Sequence, residues 1–253
     1  MDAAKAIDTP IGAQFKLSYD LSPKIEEMQD MSNVPYANSI GSIMYAMVCT
    51  RPDIAHGVSL LSHYMSNPGR DHWEALKWIL RYLKGTADSG LIYQRKQTTI
   101  GLVEGYVDSD YTKDLDERRS ITGYLFTGCG CVVSWKSTLQ NIVALSTTKV
   151  EYATAVEATK EALWLKGLVY ELGMNQKSVM VFCYSQSAIC LTKNQGFDKR
   201  TKHRDVRFHF IRDTVEQGLV NVSKISTADM LTKLILKVKF KQCLNLINVG
   251  AVW

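Results

Sequence analysis

No run of about 18 consecutive apolar residues occurs in the chain, so the sequence offers no helix that would cross a membrane. The first residues, Met1-Asp2-Ala3-Ala4-Lys5, lack the apolar core of a secretory signal. Cysteines are few and scattered: Cys49, Cys129, Cys131, Cys183, Cys190 and Cys243. The one close pair, Cys129 and Cys131, has a single intervening residue, which does not suit the usual zinc knuckle. These residues read as buried free thiols of a reducing compartment, which points to an intracellular protein that is not secreted. His56, His63 and His72 have no carboxylate or Cys at metal-ligand spacing and read as structural. A strong excess of one charge is also missing. The 30 Lys and Arg against 25 Asp and Glu leave +5, which permits a polyanionic partner without demonstrating one. Hydrophobic residues at 46% and charged residues at 22% are ordinary for a globular chain and exclude disordered and collagen-like classes.

The 253 residues suffice for one large or two modest domains. Residues 1–34 are weakly patterned and punctuated by Pro10 and Pro23, with a helical turn expected near Ile25 to Met31; they read as an extended lead-in. Residues 35–97 are mainly helical. Tyr36 to Val48 predicts one helix, and Arg51-Pro52-Asp53-Ile54 starts a second, with Pro at a permitted first-turn position. Asn67-Pro68-Gly69 breaks the second, and a third follows with Asp71 as its expected cap and Glu74 three residues on. Trp73, Leu76, Ile79, Leu80 and Leu83 form its apolar stripe. Lys77, Arg81 and Lys84 lie on the other side, either solvated or facing a phosphate backbone. A short strand is expected at Leu91-Ile92-Tyr93, and a boundary near residue 97.

Residues 98–236 form the second unit. An apolar run from Ile100 ends at Gly105-Tyr106-Val107-Asp108-Ser109-Asp110. Alternation places Leu102, Glu104, Tyr106 and Asp108 on one strand face, and Val103, Val107 and Ser109 on the other. An acid ending such a central strand is costly to bury unless it meets a metal or a partner. Strands at Thr122 to Phe126 and Cys131 to Trp135, joined by a Gly128-Cys129-Gly130 turn, make an antiparallel meander. Ser146 then caps a helix to about Ala158, a second runs from Thr159 to Leu172, and Gly173 ends it. A buried strand at Val179 to Cys183, a helix at Ser185 to Lys193, a basic helix at Lys199 to Gln217, a strand at Leu219 to Ile225 and a helix from Ala228 complete the unit. The expected class is α/β, a five-stranded mixed sheet flanked by helices with the fourth strand parallel beside the first. Residues 237–253 are left as a tail.

From Gly105 to Lys233 the chain resembles the ribonuclease H domain of copia-type LTR retrotransposon polyproteins. The motifs are Tyr106-Val107-Asp108-Ser109-Asp110, Arg119-Ser120-Ile121-Thr122-Gly123-Tyr124, Val133-Ser134-Trp135-Lys136-Ser137, and Ala144-Leu145-Ser146-Thr147-Thr148 with Glu151-Tyr152. Gln186-Ser187-Ala188-Ile189, Thr201-Lys202-His203-Arg204-Asp205-Val206-Arg207 and Ala228-Asp229-Met230-Leu231-Thr232-Lys233 follow in order. Val34-Pro35-Tyr36, Arg51-Pro52-Asp53-Ile54-Ala55 and His72-Trp73-Glu74-Ala75 resemble the segment after a reverse transcriptase palm. The adjacent Asp pair of a polymerase is missing.

This resemblance implies a ribonuclease-H-like fold preceded by a small helical reverse-transcriptase connection segment. It implies hydrolysis of the RNA strand of an RNA–DNA hybrid by two Mg²⁺ ions, which need acids rather than His or Cys as ligands. It also implies a cytoplasmic virus-like particle or the nucleus as the setting, and the rest of a Pol polyprotein as a partner. Of the family's four carboxylates, Asp108 matches the first, Glu151 the second and Asp229 the fourth, as catalytic and metal-binding positions. The third is the Asp of a Cys-Asp-Asn motif, and here Cys183-Tyr184-Ser185 puts Tyr184 there. A phenol with its ordinary value near 10 does not replace an anionic ligand. Lys149 stands where the family carries the Glu of a capping box. The loop before Asp229 is short, and the Pro that usually follows Thr232-Lys233 is absent. These departures imply impaired cleavage or a catalytically silent binding module. Lys199, Arg200, Lys202, Arg204 and Arg207, with His203 and Arg212 beside them, are the candidate contacts to nucleic acid. Asp110, Asp114 and Asp116 read as surface acids.

Overall fold

The structure is a computed structural model that describes residues 4–93, 102–112, 114–141, 143–193, 206–224, 232–233, 237–246 and 248–251. The first helices are α1 (Ile25–Ser32), α2 (Tyr36–Thr50), α3 (Ala55–Ser62) and α4 (Arg70–Gly85), with a 3₁₀ turn at Pro52–Ile54 leading into α3. Strand β1 (Ser89–Leu91) follows. Then come β2 (Val103–Asp110), β3 (Ile121–Gly128), β4 (Cys131–Leu139), α5 (Thr147–Glu171), β5 (Val179–Cys183), α6 (Gln186–Lys193), α7 (Val206–Glu216), β6 (Val220–Lys224), α8 (Lys237–Leu246) and β7 (Val249–Ala251).

The main sheet has five strands in the order β4-β3-β2-β5-β6. β4, β3 and β2 are antiparallel neighbours, whereas β5 lies parallel to both β2 and β6. This is the mixed sheet that the resemblance implies, and β2 is its centre. The β3–β4 hairpin turns through Cys129 at φ 53° and Gly130 at φ 80°. Positive φ at both central residues is what a two-residue hairpin with the right-handed strand twist demands.

Both faces of the sheet are covered. Val103 and Val107 of β2, with Val179 and Val181 of β5 and Val220 and Val222 of β6, pack under α5 residues Ala158, Ala162 and Leu165. On the other face Leu125 and Val132, with half-buried Tyr106 and Trp135, join the core of α2, α3 and α4. Glu104 and Tyr106 share that second side: the Tyr106 hydroxyl donates to Glu104 at 3.2 Å, and its ring stacks on Phe182. Leu102, expected with them, precedes the strand and packs with the α5-side cluster. The stretch 237–253, which periodicity leaves as a tail, holds α8 and β7. Phe240, Cys243 and Val249 enter the α2–α4 core, and β7 pairs antiparallel with β1.

Two helix readings are corrected. α5 is one helix of 25 residues and does not break at Ala158. The stretch has no Pro or Gly there, and Thr159 satisfies its own hydroxyl by donating to the Ala155 carbonyl at 2.8 Å. Gly173 does end this helix, at φ 79°, with its N–H on the Tyr170 carbonyl and that of Met174 on Val169. In α4 the cap is Gly69 and not Asp71. Its N–H donates to His72 Nδ1 at 2.9 Å, leaving Nε2–H to donate to the Ser18 carbonyl. His72 is therefore neutral, and burial lowers its pKa.

The basic side of α4 holds the lead-in. Arg81 Nε donates to the Lys5 carbonyl at 2.7 Å, Lys84 Nζ to that of Ala4 at 3.1 Å, and Lys77 pairs with Glu74. Of the two readings of this face, the observed contacts tie its cations to the chain's own backbone and to Glu74. Among the described residues no helix is long and apolar enough to cross a membrane.

Candidate active site

The end of β2 buries an acid. Val107 is fully buried toward α5, and the next residue, Asp108, is 2% exposed. Solvent does not stabilise such a carboxylate, so the chain must. The Thr232 hydroxyl donates to Asp108 Oδ2, and the Lys233 ammonium lies 3.2 Å from Oδ1 and 3.1 Å from Oδ2. Thr232 and Lys233 form one dipeptide far along the chain.

Glu151 enters from α5. Ser146 sets the start of that helix, its hydroxyl accepting from the Lys149 N–H at 3.3 Å, as the capping pattern predicts. Gln140 pins the same turn to the sheet. Its Nε2 donates to Thr122 Oγ1 at 3.0 Å, to the Val150 carbonyl at 3.2 Å and to Thr154 Oγ1 at 3.3 Å. Glu151 is thereby aimed at the carboxyl end of β2 and β5. It accepts a hydrogen bond from Ser109, and the Cys183 thiol donates to its Oε2 at 3.9 Å. Burial, and then the charge of Asp108, push the Glu151 carboxyl up to about 7, against the smaller opposing effects of Ser109, Lys233 and Cys183. The Cys183 thiol is pushed up to about 12 by burial and by Glu151. It is a buried, inert thiol and no nucleophile.

Asp108 and Glu151 thus meet at one end of the sheet. Tyr184 stands just beyond β5, next to Cys183, and is 56% exposed. Asp229 lies outside the described residues, as do Lys199, Arg200, Lys202, His203 and Arg204. Arg207 falls in the first turn of α7. Arg212, counted with the basic group, donates from Nε to the Leu191 carbonyl at 3.1 Å and ties α7 to the end of α6. Gln140 and Lys233 carry no periodic signal. Lys233 is marked only as the last residue of a motif and Gln140 lies in none, and their roles depend on contacts across 125 and 10 positions.

The chain is 49% identical to the Retrovirus-related Pol polyprotein from transposon TNT 1-94 of Nicotiana tabacum, over 98% of its own length and 19% of that protein. It is 35% identical to the Retrovirus-related Pol polyprotein from transposon RE2 of Arabidopsis thaliana, again over 98% of this chain and 17% of that protein. The chain belongs to the copia-type retrovirus-related Pol polyproteins. It spans about a fifth of the length of these Pol relatives. A shorter relative, Secreted RxLR effector protein 161 of Plasmopara viticola, is 50% identical over 53% of this chain and 94% of that protein. No family model matches.

Pol-type ribonuclease H chemistry implies a pair of divalent cations, and the donor set here can be tested against them. Among the described residues no three His, Cys, Asp or Glu side chains are grouped to hold a metal ion. Asp108 is engaged by the Lys233 ammonium and the Thr232 hydroxyl, and Glu151 is the other acid at this end of the sheet. Two hard dications need several anionic oxygens. The described residues do not fit such a pair.

Proposed function

We propose that this Pol segment engages RNA–DNA hybrid as a ribonuclease-H-type module whose cleavage of the RNA strand is impaired. The observation that carries the reading is Tyr184. It takes the third carboxylate position immediately after Cys183, whose thiol touches Glu151. Removing even an outer partner of a metal ligand typically costs about 10–100-fold, and losing an anionic ligand costs at least that. Asp108 and Glu151 keep their places on the sheet and on α5, so the scaffold for the chemistry persists without its full set of anions. The basic stretch from Lys199 to Arg207 supplies the phosphate contacts, which position a duplex without reading its sequence. Discrimination of a hybrid from DNA rests on groove shape and the 2′-hydroxyl.

A catalytically silent binding module is the second reading. It is favoured by the ion pair between Lys233 and Asp108, which already satisfies the first carboxylate. Cleavage of an end-labelled hybrid in Mg²⁺ and then Mn²⁺ decides between them, with the unmodified chain, Tyr184→Asp and Asp108→Asn run together. Silence of the unmodified chain with recovery in Tyr184→Asp supports a ribonuclease disabled at one ligand. Silence in all three leaves binding as the function. Robust cleavage by the unmodified chain, lost in Asp108→Asn, would overturn the impairment.

A further inference from the structure

We infer that Lys233 is the resident counter-cation of Asp108, an internal ammonium seated where a divalent ion would otherwise bind that carboxylate. Asp108 is 2% exposed, so its charge is stable only with a partner inside the fold. The Lys233 Nζ is near both oxygens, at 3.2 and 3.1 Å, and Thr232 donates to Oδ2 beside it. One dipeptide thus supplies a cation and a hydroxyl to one carboxylate. The same ammonium also acts on Glu151, the other acid of the site. Its contacts are with Asp108 on β2, and its charge reaches Glu151 on α5.

The chemistry makes this arrangement a competitor of metal and not a support for it. A lysine ammonium offers protons and no lone pair, so it cannot share a ligand role with a dication. A dication at Asp108 would meet a like charge at hydrogen-bond range. The Lys233 side chain is nonetheless 38% exposed on a flexible four-carbon stem. The ammonium can swing out to water, so divalent binding is weakened by exchange and not blocked by closure.

The test uses the whole chain without nucleic acid, so its failure is separate from that of the hybrid reading, although both concern Asp108. Free Mn²⁺ is followed by electron paramagnetic resonance during titration of the unmodified protein, Lys233→Met, Lys233→Arg and the double variant Lys233→Met/Asp108→Asn. Lys233→Met is expected to bind Mn²⁺ at least about tenfold more tightly than the unmodified chain, because a like charge beside the bound cation is removed. Lys233→Arg, which keeps the charge, should match the unmodified chain, and the double variant should lose the gain. Equal affinity in Lys233→Met and the unmodified chain would overturn the inference. So would a gain that survives in the double variant, because the ion would then sit elsewhere. Circular dichroism covers the case in which Lys233→Met does not fold. Recovery of folding in the double variant would show that the lysine compensates the buried charge. Failure of both would assign it a packing role and end the proposal.

Discussion

Glu151 on α5 keeps its proton to about pH 7 because its carboxyl is buried beside the charge of Asp108 on β2. Its ordinary value is 4.5, so the folded chain holds a proton that the unfolded chain has released between pH 4.5 and 7. Stability from this group is present in full below the lower value and declines as pH rises through the upper one. Glu151→Gln keeps the shape and removes the titration. Its unfolding free energy should match the unmodified chain near pH 4.5. It should exceed it by roughly 1–2 kcal/mol above pH 7, a figure below the full linkage value because the side chain is only partly buried. Urea unfolding at both pH values checks this, and a pH-independent difference would contradict it.

The start of α5 carries a cation in the wrong place. Lys149 sits at the third helical position, where the backbone N–H groups already present positive charge. Lys149→Glu would complete a capping box with Ser146 and should stabilise the chain by about 0.3–1 kcal/mol. Part of that gain is electrostatic and should shrink in high salt. Ser146→Ala should cost about 1 kcal/mol. Thermal melts of the two variants at low and high ionic strength test the pair of expectations.

Asp53 is the anchor between the turn after α2 and α4. It accepts from Arg51 Nε at 2.9 Å, from Nη2 at 2.7 Å and from the Tyr82 hydroxyl at 2.6 Å. Arg51 is 6% exposed and also donates to Thr86. Asp53→Ala leaves a buried guanidinium without its anion and should destabilise by about 3–5 kcal/mol. Equilibrium denaturation reads the loss directly. A change under about 1 kcal/mol, the scale of an exposed ion pair, would mean that water reaches Arg51.

The basic stretch is tested by charge removal. Changing Lys202, Arg204 and Arg207 to Gln should weaken hybrid binding across all sequences alike. The salt slope of log affinity should flatten by about one for each phosphate that is no longer neutralised. Fluorescence anisotropy over a salt series gives both numbers. An unchanged slope would remove this stretch from the interface.

Much of this was legible in the residues. Alternation around Asp108 placed Val103 and Val107 toward α5 and Tyr106 on the opposite face. Ser146 and Gly173 marked the ends of α5, and Gly130 the hairpin. Local signals work there because a cap, a left-handed glycine and a two-residue period are each set within a few positions. The internal break read into α5 was absent because Thr159 is accommodated by its own helix, which propensity does not reveal.

The sequence by itself determined the family and the order of the five strands of the main sheet, but not α8, β7 or the unbroken course of α5. The first two are carried by residue identity along the chain. Only the tertiary structure decided what the carboxylates meet. It brought Lys233 and Thr232 to Asp108 from 125 and 124 positions away, set Glu151 against Cys183, and turned the cations of α4 onto the chain's own lead-in. A buried charge takes its character from the groups packed around it, and those are chosen by the fold and not by neighbours in sequence.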